Sequence, residues 1–451
     1  MNGKTFPVVV GHCVGGSSAI NGMAVMRGTA KEYDIWADLG GKGSTWNWNG
    51  LLPYFKKRHS TKPSKKVPGL EFPKDGAAGS HGVFYHPISM DAQDQRSYAR
   101  TGHWDGLNRP NYDMVVGMKA NKINFRGNKA ESVRFVPKEG GNFTTVKAKK
   151  EVILSAGALH TPQILQLSGI GPADLLEAAG IDVKADLPGV GANFQDHPIG
   201  PNVTYVYGIQ PPSKPSTGLL DLARSQGLIA FINLPVTAPN SYKAIATKYA
   251  SQDISDYLPN DTADSVIVGQ RVMQNIFARE MLKKEVSFLD YLVAGPPTTL
   301  PIGLHIASRG TVNINPADPD GEVIVDYRAL SNPIDIDLMI AYVKFMRTHF
   351  SRDLAEWNTT EIRPGLDVQT DAQLEQLVRA EYNPQGYHPI GTAAKMPRAL
   401  GGVVDEELFV HGVKGLRVVD GSIMPTTIGG TTQLTVYAIA EKAADMIKGR
   451  R

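Results

Sequence analysis

A single cysteine, Cys13, in 451 residues leaves no partner for an internal disulfide and no thiolate cluster for a metal. No apolar run is long enough to span a bilayer. Residues 1–20 lack the charged start and long apolar core of a secretory signal, so the chain as written reads as intracellular, and as secreted only if a leader precedes it. The sequons at Asn142, Asn202, Asn260 and Asn358 matter only on that second route. Charge of one sign is scarce as well: the formal net charge is +3, and Lys56, Lys57, Arg58, Lys62, Lys65 and Lys66 form the one basic cluster, read as a solvated loop. That argues against a nucleic-acid partner. H-E-x-x-H and clustered metal ligands are missing, and so is the G-x-S-x-G elbow of a serine hydrolase. A complete G-x-G-x-x-G is missing too. After Val8-Val9-Val10-Gly11 the second glycine position holds Cys13, and Gly169-Ile170-Gly171 and Gly189-Val190-Gly191 lack the third glycine.

What is present is the composition of an ordinary globular protein, 42% apolar and 20% charged, at a length that suits two or more domains. The best candidate for chemistry lies in residues 387–451. His388-Pro389 reads as a turn, and the small residues Gly391, Thr392, Ala393 and Ala394 after it allow close backbone approach. Leu416-Arg417-Val418-Val419-Asp420 reads as a buried strand delivering a carboxylate to a loop at Gly421. A helix then starts near Thr431 or Thr432, either of which can cap it, and runs to about Lys448 with Val436, Ile439, Ala440, Ala443 and Ile447 on one face. Its positive end follows Gly429-Gly430 and suits an anion or an electron-rich ring.

Two further stretches carry pattern. The first is GGSSAINGM over residues 15–23, continued by Arg27-Gly28, Tyr33-Asp34-Ile35-Trp36 and Trp46-Asn47-Trp48. The second is the strand Glu151–Ser155 running into GALHTPQILQLSGIGP at 157–172, read as a helix opened by Thr161-Pro162. Between them, residues 114–137 read as two strands around a turn at Gly127-Asn128. Residues 200–300 mix helical and strand patterns, with bends at Pro211-Pro212 and Pro296-Pro297.

These stretches, in this order, resemble the glucose-methanol-choline (GMC) family of FAD-dependent oxidoreductases, most closely its fungal aryl-alcohol and secondary-metabolite members. The resemblance implies an α/β (α+β) fold: a Rossmann-like FAD-binding domain, here N-terminally incomplete because the glycine turn and its βαβ unit are absent, with an antiparallel-sheet substrate domain. The implied divisions are 1–205 for the flavin-binding region with a short substrate-domain excursion at about 60–110, 206–385 for the substrate lobe, and 386–451 for the return with the histidine. The connection at 72–90 reads as a short loop.

By the same resemblance FAD is the cofactor, His388 is the base for the alcohol proton, and Ser17, Asn21, Gly22, Asp420, Gly421 and Gln433 lie near the flavin. Thr431 stands where the family has a second His or Asn, and its hydroxyl would donate to the substrate oxygen. The implied partners are a small alcohol and an oxygen or quinone-like electron acceptor, with no nucleic acid, no membrane span and no metal. His197, in Asp196-His197-Pro198, reads as a polar clasp between domains. Two alternatives stay open: a non-redox cyclase or lyase on the same fold, with His388 as acid–base, and an inactive remnant.

Overall fold

The computed structural model describes residues 3–58, 84–85, 87–91, 93–209, 228–293 and 298–449. Lys62, Lys65 and Lys66, most of the 72–90 connection, and the bends at Pro211-Pro212 and Pro296-Pro297 lie outside them.

The C-terminal helix, Gln433–Ile447, sets one of the two large cores. Its buried face is Leu434, Thr435, Ala438, Ile439, Lys442 and Ala443. This is rotated from the face expected: Ala440 and Ile447 are exposed and Val436 is half-buried. Polar anchors account for the rotation. Thr435 Oγ1 pairs with Tyr33 OH at 2.8 Å, and Lys442 Nζ donates to the Thr45 carbonyl. Lys57 on the neighbouring helix Trp48–Arg58 bridges Glu441 and Asp445 from outside. The same core holds the helix Ala30–Gly40, opened by a Thr29/Glu32 capping box.

Strand Leu416–Val418 pairs in parallel with Val152–Leu154, the nucleus of the Rossmann-like layer. Among the described residues this layer is a two-stranded sheet, and Ile153, between two buried neighbours on its strand, is 45% exposed on the uncovered face. The helix that follows begins at Gly157 (φ +79°), earlier than expected, and Pro162 lies inside it. Proline has no N–H for the carbonyl four residues back, Ala158 O; the Thr392 hydroxyl donates to that carbonyl instead, at 2.7 Å. The expected hairpin is Met118–Arg126 with Lys129–Pro137 around Gly127, and a third strand, Thr144–Lys147, extends it.

The second lobe is a six-stranded antiparallel sheet in the order 84–85, 228–232, 289–293, 298–303, 203–207, 359–363. One face carries Val203, Tyr205, Ala230, Leu289 and Tyr291 into a core shared with the helices Asp264–Glu280 and Ile334–Thr348. The strand Val203–Tyr207 runs across the division expected at residue 205.

Candidate active site

Two backbone pairings bring distant segments side by side. Gln195 and Ile390 exchange both amide hydrogen bonds, at 3.2 and 3.0 Å, and Ile199 and Asn383 do the same at 2.8 and 3.0 Å. Residues 196–198 are thereby held against 384–389. Both segments contain His-Pro, which biases each histidine toward extended backbone.

The Asp196 carboxylate ties the two together. Its Oδ1 accepts from the backbone N–H of His197 at 2.7 Å and of His388 at 2.8 Å, with Gly386 and Tyr387 N–H also bonding to the side chain. Burial pushes this carboxyl up to about 7, against the pull of those donors.

The two rings meet edge to face, with Nδ1 of His197 and Nδ1 of His388 3.0 Å apart. Burial is the cause that lowers His388 to about 4. His197, 1% exposed, is held well below the usual histidine range by burial and then by its His388 and His305 neighbours. The Leu304 and Ile428 carbonyls face the His197 ring, whose Nε2 is shielded from solvent with no closely aligned partner. His197 thus belongs to the site beside His388, a role the sequence reading did not give it.

The other expected site residues group as follows. A methyl built on Gly421 would lie 3.6 Å from both Pro389 O and Val436 Cγ2, so the His388 turn, the Gly421 loop and the C-terminal helix converge there. The Asn21 amide donates to Gln433 Oε1, 412 positions away, while Asn21 Oδ1 accepts from Arg96 Nη1 at 2.8 Å and Met23 N at 3.0 Å. Arg96 was not singled out as a site residue, because nothing local marks its contact with Asn21. Gly22 follows Asn21 and has open space where a side chain would be. Ser17 Oγ accepts from Gly11 N at 3.1 Å, closing the glycine loop on itself.

Asp420 and Thr431 are engaged elsewhere. Asp420 Oδ2 accepts from Thr161 Oγ1 at 2.6 Å and Gly157 N at 2.9 Å, and Oδ1 from Ser422 N at 2.8 Å. The carboxylate therefore caps the helix Gly157–Leu167 and locks it to the strand end. Thr431 Oγ1 donates to Ala24 O and accepts from Met26 N, both at 3.0 Å. A hydroxyl has one proton and this one is spent, which corrects the expectation that Thr431 donates to a substrate oxygen. Neither Thr431 nor Thr432 caps the helix: Thr432 stands at the cap position without a side-chain bond.

The uncapped helix start beside the Asn21–Gln433 amides fits the electron-rich ring end of a flavin. The helix start at Gly157 is filled by Asp420 and offers no place for a phosphate. A cavity of about 440 Å³ lies between residues 4–12, Leu159, His160 and residues 322–329, and His388 is not among its lining residues. Among the described residues no group of three or more His, Cys, Asp or Glu could hold a metal ion, and no helix is long and apolar enough to cross a membrane.

Comparison with known proteins gives the family and the fold. Two family models, both described as GMC oxidoreductase, match the chain, the N-terminal one over residues 1–71 and 67–199 and the C-terminal one over 307–440. Among curated relatives, the dehydrogenase xptC of Emericella nidulans is 34% identical over an alignment 515 positions long, gaps included, covering 100% of this chain and 82% of the relative. Among solved structures, an FAD-dependent oxidoreductase from Chaetomium thermophilum superposes with a TM-score of 0.91 at 34% identity, covering 99% of this chain and 88% of that one. A fungal aryl-alcohol oxidase superposes at 0.88 with 33% identity, covering 98% and 86%.

Proposed function

The chain belongs to the GMC oxidoreductase family and is an FAD-dependent alcohol oxidoreductase, in which we propose that His388 takes the hydroxyl proton as hydride leaves the carbinol carbon. The observation that carries this reading is the His197–His388 contact.

Its consequence is a choice of tautomer. Two Nδ1 atoms at hydrogen-bonding distance need one proton between them. We assign the proton of His197 to Nε2, the nitrogen turned away from His388 on the ring that the Leu304 and Ile428 carbonyls face. His197 Nδ1 then accepts, and His388 Nδ1–H donates. That leaves the lone pair of His388 on Nε2, on a ring that is not fully buried and stays neutral down to about pH 4. A neutral imidazole with a fixed free nitrogen is what a general base needs near neutral pH. Asp196 acts through the backbone, holding the turn that carries the ring.

The flavin, when bound, supplies the acceptor for the hydride. Asn21, Gln433, the Gly421 backbone and the first N–H groups of the helix Gln433–Ile447 would hold its ring end, with Arg96 fixing Asn21. Ser17 and Gly22 flank that group in the glycine loop, and Asp420 sets the strand end from which Gly421 projects. The substrates we assign are aryl or secondary-metabolite alcohols, and the electrons pass on to dioxygen or a quinone. Oxygen uptake measured beside reduction of a quinone dye separates those two acceptors. Replacing His388 by Ala tests the base: turnover should fall while the protein stays folded, and unchanged turnover would remove the role.

A further inference from the structure

Three segments from distant parts of the chain meet beside the His197 ring, and one side chain joins them. Glu32, the third residue of the helix Ala30–Gly40, is 1% exposed. Its Oε2 accepts from the backbone N–H of Thr29 at 2.8 Å and of Gly429 at 2.7 Å, and its Oε1 pairs with His305 Nε2 at 3.2 Å. His305 is itself buried, and its Nδ1 meets the Thr427 hydroxyl at 3.1 Å. Room for the carboxyl depends on two glycines. A methyl on Gly28 would collide with Oε2, and one on Gly429 would lie 2.6 Å from Oε1.

These contacts reach His197 through the backbone. A peptide group is planar and trans, so its N–H and C=O point opposite ways. With the Gly429 N–H held on Glu32, the carbonyl of the same peptide, that of Ile428, points away from Glu32 and faces His197. Gly430 N takes one lone pair of that oxygen at 2.8 Å, which leaves the other for the ring. The second carbonyl facing His197 belongs to Leu304, the residue before His305. Gly303 N donates to Pro198 O at 2.9 Å, which lays residues 303–305 along the His197-Pro198 segment. The shielded Nε2 of His197 thus has two carbonyl oxygens on its ring and no hydrogen-bond donor among the described residues. A lone pair is repelled there, whereas an N–H is attracted even without close alignment.

Capping a helix does not require any of this. The capping box of Thr370 and Gln373 on the helix Asp371–Glu381 works at the surface, whereas Glu32 is taken out of water and reaches two further segments. We propose that Glu32 is a positioning residue for the base: by holding the Ile428–Gly429 peptide and His305 it keeps both carbonyls on His197, and thereby the His197 proton on Nε2 and the reactive lone pair of His388 on Nε2. This rests on the reading of His388 as the base, but the tautomers can be read without turnover.

The experiment labels the histidine rings of the flavin-loaded chain with nitrogen-15 and reads each tautomer by NMR from the two-bond ring couplings. Signals are assigned by their loss in His197→Phe and in His388→Ala. The parent should show His197 protonated on Nε2 and His388 on Nδ1. In Glu32→Leu both rings should become mixtures, and kcat per bound flavin for an aryl alcohol, 1,4-benzenedimethanol, should fall about tenfold with KM little changed. Glu32→Gln should match the parent in both readouts. Its amide oxygen still accepts from Gly429, and its NH2 donates to His305, whose own proton then turns to Thr427. A role confined to packing would lower the melting temperature of Glu32→Leu and leave tautomers and kcat alone, and that result overturns the proposal. So does a loss of turnover in Glu32→Gln with the tautomers unchanged, since charge and not holding would then be at work. Should Glu32→Leu not fold, Gly429→Ala takes its place, because its methyl pushes the loop off the carboxyl while Glu32 remains. If His388→Ala keeps its turnover while Glu32→Leu mixes the tautomers, the base reading falls and the positioning of His197 stands.

Discussion

His197 Nδ1 and His388 Nδ1 lie 3.0 Å apart, so the protonation of one ring decides the tautomer of the other. A histidine that holds a neighbouring histidine in its reactive form is a positioning residue: it touches neither substrate nor flavin in this account.

Replacing His197 by Phe keeps an aromatic ring in the buried slot and removes the acceptor for His388 Nδ1–H. The expected outcome is a fall in kcat of about 10²-fold, from loss of the oriented base, with KM for the alcohol little changed. A purely structural role would instead lower the melting temperature and leave kcat per folded molecule intact.

The acid limb of kcat/KM should fall near pH 4 instead of near 6.5, since burial holds His388 neutral down to about 4. A pH–rate profile of the free enzyme checks this. Stability follows the same sign: between 6.5 and about 4 the unfolded chain binds a proton that folded His388 refuses, so this group's contribution is lost as pH falls through that window.

Asp290 works in the opposite direction. Its folded carboxyl keeps a proton up to about 7 while the unfolded one loses it near 3.8. The part it contributes is therefore complete below 3.8 and is lost as pH rises to 7. The melting-temperature advantage of Asp290→Asn over the parent should be small at pH 4 and grow toward pH 8, and thermal scans across that range measure it.

Thr392→Val should cost about 1–3 kcal/mol, because it strips the Ala158 carbonyl of the donor that substitutes for Pro162. Denaturant titration of the two proteins measures this. A cost near zero would mean that another donor serves that carbonyl.

Much of this is legible in the amino-acid sequence. Hydrophobic periodicity and glycine punctuation located the C-terminal helix to within two residues at its start and one at its end, and the strand Leu416–Val418, which stops two residues short of the expected end at Asp420. The hairpin around Gly127 was legible for the same local reason. What stayed hidden depends on contacts between distant segments. His197 and His388 are 191 positions apart, and only the Gln195–Ile390 and Ile199–Asn383 pairings bring them together. Thr431 carries a side chain able to donate, but the backbone of residues 24–26 claims its proton. The rotation of the C-terminal helix was likewise invisible, because Tyr33 and Thr45, not the helix's own pattern, select the face that is buried. The six-stranded sheet draws strands from residues 84 to 363, an assembly order that no local pattern encodes.

The most direct test of His388 as the base is anaerobic flavin bleaching on addition of 1,4-benzenedimethanol, followed by stopped-flow absorbance in the parent and in His388→Ala loaded with the same amount of FAD. The account expects the parent to bleach and the variant to do so slower by about 10²–10⁴-fold, with flavin content and melting temperature preserved. Bleaching at equal rates in the two proteins would contradict it, and the proton would then have to leave by a route that does not pass through His388.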